Sequence, residues 1–355
     1  MSRDPVSAVP TVPLPVWKDL LDAALAFRAQ RPWEWLYDSD VFALIGAQGR
    51  PWFSSVLGAG KQVYGLVFYR GVAGLRFLMD AKCGDGVPPR EAAMRQDAVM
   101  LDWGNKHTMK PEDLDVLRRL GYASRPRERL GWPCFRDHMP GLFPWFLDAQ
   151  GAADLTRGLR ATIATSELAL THPGFFAPCD TAPDLLPSLD METAIAGNLR
   201  PDQVEWRHWL VPEPEEPPAI EPGPQFALLA QLPVAKKLNI EFDIVHSFSP
   251  VGDRGRPYFP RLTLMADRRS GYIYAMDLAG PETPWEDLVR KTWAKALQSI
   301  RGRPECIHVR RREWMQALRP LAEACGVKLR QRESLPAIDE AVESLDRFIP
   351  MSIDN

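Results

Sequence analysis

The stretch PEPEEPPAIEPGP, residues 212–224, constrains this chain more than any other feature. It holds six prolines, four glutamates and no basic residue. Proline removes backbone donors and fixes φ, and like charges repel, so such a segment reads as stiff, extended and solvated. It is the densest part of a longer Pro-rich region, 173–224, with eleven prolines in 52 residues. A chain of 355 residues has room for two domains. The sequence therefore predicts a flexible leader over 1–14, a Trp-rich α+β domain over 15–172, an acidic Pro-rich linker over 173–224 and an α/β domain over 225–355. Trp206 and Trp209 interrupt the linker and predict that part of it packs on a domain surface.

Composition narrows the partner classes. The formal net charge is -3, so only a local patch could draw the molecule to nucleic acid or a membrane surface. The five cysteines are scattered, with no CxxC pair. That pattern supplies neither a disulfide framework nor a structural zinc site, and it predicts a reducing, cytoplasmic setting. The first sixteen residues carry four prolines and no apolar run, so no signal peptide is expected there. No later stretch reaches the ~20 apolar residues of a membrane span, and no membrane partner is expected.

Periodicity places the elements. Trp17, Leu20, Leu21, Ala24 and Phe27 share one helical face. Strands are predicted over 41–46, 51–58, 63–69 and 98–103, a loop over 81–90, and helices over 111–121 and 153–169. In the second half, strands are predicted over 241–248, 261–267, 272–278, 306–310 and 327–330. Thr283-Pro284-Trp285-Glu286 reads as a capping box opening a helix. A second helix is predicted over 312–325 with Gly326 as its C-terminal stop, and Pro320 should kink or split it. A last helix follows Ser334, burying Ile338, Ala341, Val342, Leu345 and Phe348.

The order β-β-β-α-β-α-β-α over 240–349 resembles the ribonuclease-H-like fold of ribonucleases H, retroviral-type integrases, transposases and inactive relatives. The whole chain also resembles a group of uncharacterised bacterial two-domain proteins, which brings no assigned activity. Active ribonuclease-H-like proteins hold two divalent metals on three or four carboxylates. These stand on the first strand, near the first helix, at the end of the fourth strand and on the last helix. The resemblance thus implies Asp243 on the first strand, Glu286 or Asp287 at the first helix, and Asp339, Glu340 or Glu343 on the last. The fourth-strand position departs from the pattern: it reads His308-Val309-Arg310-Arg311-Arg312, with no carboxylate before Glu313. Arginines there would repel metals and compete for the remaining acids. Glu286 and Asp287 also suit a helix N-terminus without any catalytic role.

The basic run is the positive feature. Residues 301–332 contain nine Arg and Lys against three Glu. Arg310, Arg311 and Arg312 fall where the fourth strand ends, the side of a parallel sheet where ligands gather. Guanidinium groups there suit phosphate or carboxylate, so an anionic partner, nucleic acid included, is expected at this face. A solvated face of paired charges is the plainer alternative.

Other patterns fail on chemistry. Ser55 to Gln62 glances at a phosphate loop, but the motif needs Gly at 55, Ser or Thr at 62, and a helix where a strand is predicted. Cys134 with Asp137 and His138 reads as a buried thiol rather than a nucleophile. Pro and Trp over 132–145 suit a peptide groove or, more simply, a core. The reading that remains is a non-enzymatic binding or adaptor protein without a cofactor, for which a protein partner is also plausible. The alternative is a nucleic-acid-processing enzyme with Mg or Mn on a rearranged set of Asp243, Asp287 and Asp339, with Glu313 as a further candidate.

Overall fold

The computed structural model describes residues 10–82, 86–123, 130–182, 184–197, 199–211, 216–247, 249–252 and 255–348. The chain divides near residue 212 into two compact units. Both mix helices with a sheet. Most of the leader, 1–9, lies outside the described residues.

The first unit runs α1 (Leu14–Gln30), β1 (Phe42–Ile45), β2 (Pro51–Leu57), β3 (Gly65–Arg70), α2 (Gly71–Lys82), α3 (Pro89–Arg95), β4 (Ala98–Gly104), α4 (Pro111–Arg119) and β5 (Trp132–His138). It continues through α5 (Ala149–Thr171), α6 (Ala177–Thr181), β6 (Leu185–Asp190), α7 (Met191–Ile195) and β7 (Glu205–His208). Its seven strands lie in the order β5-β4-β3-β2-β1-β6-β7, antiparallel except where β1 meets β6. Alternation along the strands fills both faces. Val56, Leu66, Phe68 and Leu101 pack with α1 and α5, while Phe53, Val67, Tyr69 and Ala98 pack with α2. One polar pair sits inside the first layer, where Ser54 on β2 meets Thr162 on α5 at 2.9 Å.

The second unit runs α8 (Gln225–Leu229), β8 (Val234–His246), β9 (Arg261–Asp267), β10 (Ile273–Ala279), α9 (Trp285–Ile300), β11 (Arg303–Val309), α10 (Arg312–Cys325), β12 (Lys328–Gln331) and α11 (Pro336–Phe348). Its sheet has the order β10-β9-β8-β11-β12. β9 is antiparallel to both neighbours, and β11 is parallel to both of its own. Ile240, Phe242 and Ile244 of the central strand point to one face and pack with Trp293, Leu297, Leu318 and Leu321 of α9 and α10. The opposite face carries Leu262, Leu264 and Ala266 beneath Leu335, Ala337 and Ile338 at the start of α11. The alternate residues of β8 on that second face are Glu241 and Asp243, both buried.

Several sequence expectations need correction. The region 173–224 is not one linker: β6 and β7 are strands of the first sheet, with Leu186 and Leu189 buried. Pro187 is tolerated in β6, whose residues pair with both β1 and β7. At the other end, Ile220 is fully buried in the second core, and its N–H donates to the Ala317 carbonyl at 2.8 Å. Residues 212–215 lie outside the described set. The expected loop over 81–90 overlaps the end of α2 and the start of α3. α9 begins at Trp285 with Pro284 as its N-cap and no side-chain cap, so the Thr283 capping box is not formed. α10 spans Pro320 as one helix and ends on Gly326 at φ 63, the left-handed stop that glycine allows. The last helix starts at Pro336; the side chain of Phe348 is outside the described residues. Among the described residues no helix is long and apolar enough to cross a membrane.

Candidate functional site

The α11 face of the second sheet holds a cluster of charged groups. It follows from sequence alternation on β8: Ile240, Phe242 and Ile244 are apolar and feed the core under α9 and α10, so Glu241 and Asp243 between them must turn to α11. A buried carboxylate is costly unless bonded, and each finds partners there. Glu241 Oε2 accepts from the backbone N–H groups of Ala337 at 2.8 Å and Ile338 at 3.3 Å, in the first turn of α11. Unfilled helix donors are satisfied this way. Its other oxygen lies 3.8 Å from Arg268. Burial nevertheless pushes the Glu241 carboxyl above its usual range, against those bonds.

Asp243 Oδ1 accepts from the N–H of Ile244 at 2.9 Å. Its Oδ2 lies 3.3 Å from Arg310 Nε, and Arg311 stands 3.9 Å from Oδ1. Burial raises this carboxyl too, with Arg311 and Arg310 pulling the other way. Arg310 also donates to Asp339 Oδ1 on α11. One guanidinium therefore joins the strand carboxylate to the helix carboxylate. Arg311 donates to the Ile244 carbonyl at 2.8 Å and lies over the Trp314 ring. Glu313 is 3.8 Å from it. Arg312 is exposed, with no ion-pair partner among the described residues.

Asp287 does not join this cluster. It sits in the first turn of α9, on the opposite side of the sheet, and pairs with Arg290. Of the three carboxylates singled out from sequence, Asp243 and Asp339 are brought together through Arg310 and Asp287 is left apart. Among the described residues, no group of three or more His, Cys, Asp and Glu is placed to hold a metal ion.

Beside the acids lies His308, buried on β11. Its Nε2 is 3.3 Å from Asn239 Oδ1, and its Nδ1 has no partner among the described residues. Burial lowers its pKa first, then the positive charges of Arg268, Arg332 and Arg330. Those three arginines therefore collect around one spot. On edge strand β12, Arg330 lies opposite His308 and Lys328 opposite Cys306. Lys328 and Arg330 are exposed at alternate positions of β12, which sets them on one side of the strand about 6.6 Å apart, and exposed Arg332 follows directly after its end.

Sequence reasoning missed Asp277. It is buried on β10, against α9, and binds Lys291 at 2.8 Å, Lys295, and the Thr292 hydroxyl at 3.1 Å. Burial alone would raise its pKa, but the two lysines and the hydroxyl bring it below the usual value. The only signal in the sequence was Lys291 and Lys295 at helical spacing on one face of α9.

The other sequence motifs stay inert. Ser55 lies in β2, and the glycines after it form the turn into β3. Cys134 is held at about 12 by burial, which keeps it a thiol, and burial drops His138 to about 4.

Residues 17–182 match DUF7309, a domain of unknown function, and residues 226–346 match DUF6930, also a domain of unknown function. The two matches lie on either side of the division near residue 212. Neither carries an assigned activity. No curated protein matches the chain.

Proposed function

We propose that this chain is a non-enzymatic binding protein whose second unit is a ribonuclease-H-like fold with an arginine in place of metal. Three consecutive antiparallel strands followed by two parallel ones, in the order β10-β9-β8-β11-β12, support the fold. One observation carries the functional reading: the Arg310 guanidinium stands between Asp243 and Asp339. A permanent cation there supplies the positive charge that two carboxylates at a metal site would take from a divalent ion, and it cannot be deprotonated. Asp287, the remaining acid a metal pair would need, serves α9 instead.

The partner is anionic, and nucleic acid is its class. Arg310 and Arg311 were the expected anion contacts, but both have internal carboxylate neighbours, so Arg312 and the row Lys328, Arg330 and Arg332 are the cations left to offer. Three exposed cations in a row suit a chain of phosphates better than a single small anion.

Fluorescence polarisation with labelled single- and double-stranded DNA and RNA tests this across a salt series, with manganese or chelator. Binding should weaken steeply with salt, leave the probe intact, and drop about tenfold or more in the double reversal Arg330→Glu, Arg332→Glu. Manganese-dependent loss of polarisation that Asp243→Asn abolishes would overturn the reading in favour of a nuclease. Binding to none of the probes would remove nucleic acid as the partner.

A further inference from the structure

The first unit contains a cleft of about 310 Å³, bounded by the β1–β2 turn, strands β2 and β3, the start of α5 and Met191 of α7. That size admits a small molecule but not a folded or polymeric partner. Its aromatic wall is a stacked pair, Trp52 on Phe68, with ring centres 4.6 Å apart and planes 10° from parallel.

Charges of both signs line the same cleft, and they are unequally satisfied. Arg157 of α5 is neutralised by Glu192. Arg50 is exposed and has no carboxylate partner among the described residues. Asp154 of α5 is half-buried, and the only described group that donates to it is the Gln150 amide, at 2.9 Å to Oδ1. Burial holds its carboxyl above the usual range, outweighing the Gln150 bond and the nearby charges of Arg70 and Arg157. The backbone that carries Arg50 is fixed in advance. Gln48 sits at φ 63, and the Gly46 N–H donates to the Arg50 carbonyl at 2.8 Å. A non-glycine residue in that region is held there by its surroundings, and such positions gather at ligand sites.

A simple anion would satisfy Arg50 but be repelled by Asp154. A simple cation would satisfy Asp154 and be repelled by Arg50. A ligand with both charges leaves neither unpaired. We propose that this cleft binds a small dipolar ion of the amino-acid class, with its carboxylate on Arg50, its ammonium on Asp154 and its apolar part against Trp52 and Met191.

Titration calorimetry of the full chain against a panel of free α- and ω-amino acids tests this. At least one should bind saturably with one-to-one stoichiometry at millimolar or tighter affinity. Its desamino acid and its decarboxylated amine should each bind about tenfold or more weakly, since each leaves one charge unmatched. Arg50→Ala and Asp154→Asn should each weaken binding of the amino acid by about tenfold or more. Arg50 is exposed, so that variant keeps the wild-type circular dichroism and remains a fair test if Asp154→Asn misfolds. The reversal variant Arg330→Glu, Arg332→Glu should bind the amino acid normally, because those residues belong to the other unit. No heat of binding for any member of the panel at ~10 mM, where affinities of this order would register, overturns the proposal. So does binding that Arg50→Ala leaves unchanged.

Discussion

A guanidinium between two carboxylates of unequal depth makes its own removal asymmetric. Asp243 is buried, whereas Asp339 is about half exposed. Arg310→Ala strands the deeper anion, which typically costs about 3–5 kcal/mol when a buried pair is broken. Arg310 is itself partly exposed, so solvent reduces that to about 2–4 kcal/mol. Asp339→Asn leaves Arg310 its deeper partner and should stay within about 1 kcal/mol. Urea unfolding of the two variants checks the ordering; equal losses would mean Arg310 is not the link between them. The same acids set opposite pH trends. Burial raises the Asp243 carboxyl, so in the window just above 3.8 the folded state holds a proton that the unfolded state has released. Stability falls as pH rises through that window. Asp277 is lowered, so its contribution is present above 3.8 and is lost as pH falls through its folded value. Unfolding at pH 3 and pH 7 should therefore show a smaller penalty for Asp277→Asn at pH 3 than at pH 7. Asp243→Asn should compare better with wild type at pH 7 than at pH 3.

At the level of elements, the second unit was more legible than the first. The apolar parts of β8, β9, β10 and β11 are bounded by Gly, Pro or charged turns, and α10 ends on Gly326 as its sequence predicts. The first unit hid β5, β6 and β7, because Pro133 and Pro187 lie inside two of them and the third is only four residues long. Proline density is a sound signal for extended chain, but extended chain can lie in a sheet edge or on a core as readily as in solvent. Ile220 makes the point. The segment around it is rich in prolines and acids, yet Ile220 is buried against α10, and its N–H donates to the Ala317 carbonyl of that helix. Of the site, sequence could place Asp243, Asp339 and the arginines on their elements. It could not foresee that Arg310 would join the two acids, since that depends on α11 lying over β8. Ile220→Ala should cost about 2–5 kcal/mol, the range for a buried Ile. Denaturant midpoints read this directly, and no change would return the segment to the status of a solvated linker.

For the whole molecule, the two sheets share no strand: one draws all its strands from 42–208, the other from 234–331. Each also has its own apolar clusters. A unit with a complete sheet and core should fold when cut free, provided the cut takes no core residue. The position of the cut then decides between two views of the Pro-rich region. If 173–224 were all linker, a fragment starting at 225 would be as stable as one starting at 213. Because Ile220 belongs to the second core, the fragment 225–355 should be less stable than 213–355 by at least the cost of Ile220→Ala. It also loses the Glu221 carbonyl, which accepts from Arg290 at 3.3 Å. Both fragments keep Lys328, Arg330 and Arg332, so wherever folded they should bind nucleic acid with the same salt dependence as the full chain. Thermal melts of the two fragments, followed by polarisation titration, separate the outcomes. Equal melts would place the boundary at 224, and a fragment 213–355 that melts cooperatively but ignores nucleic acid would show that the cationic row of β12 is not sufficient.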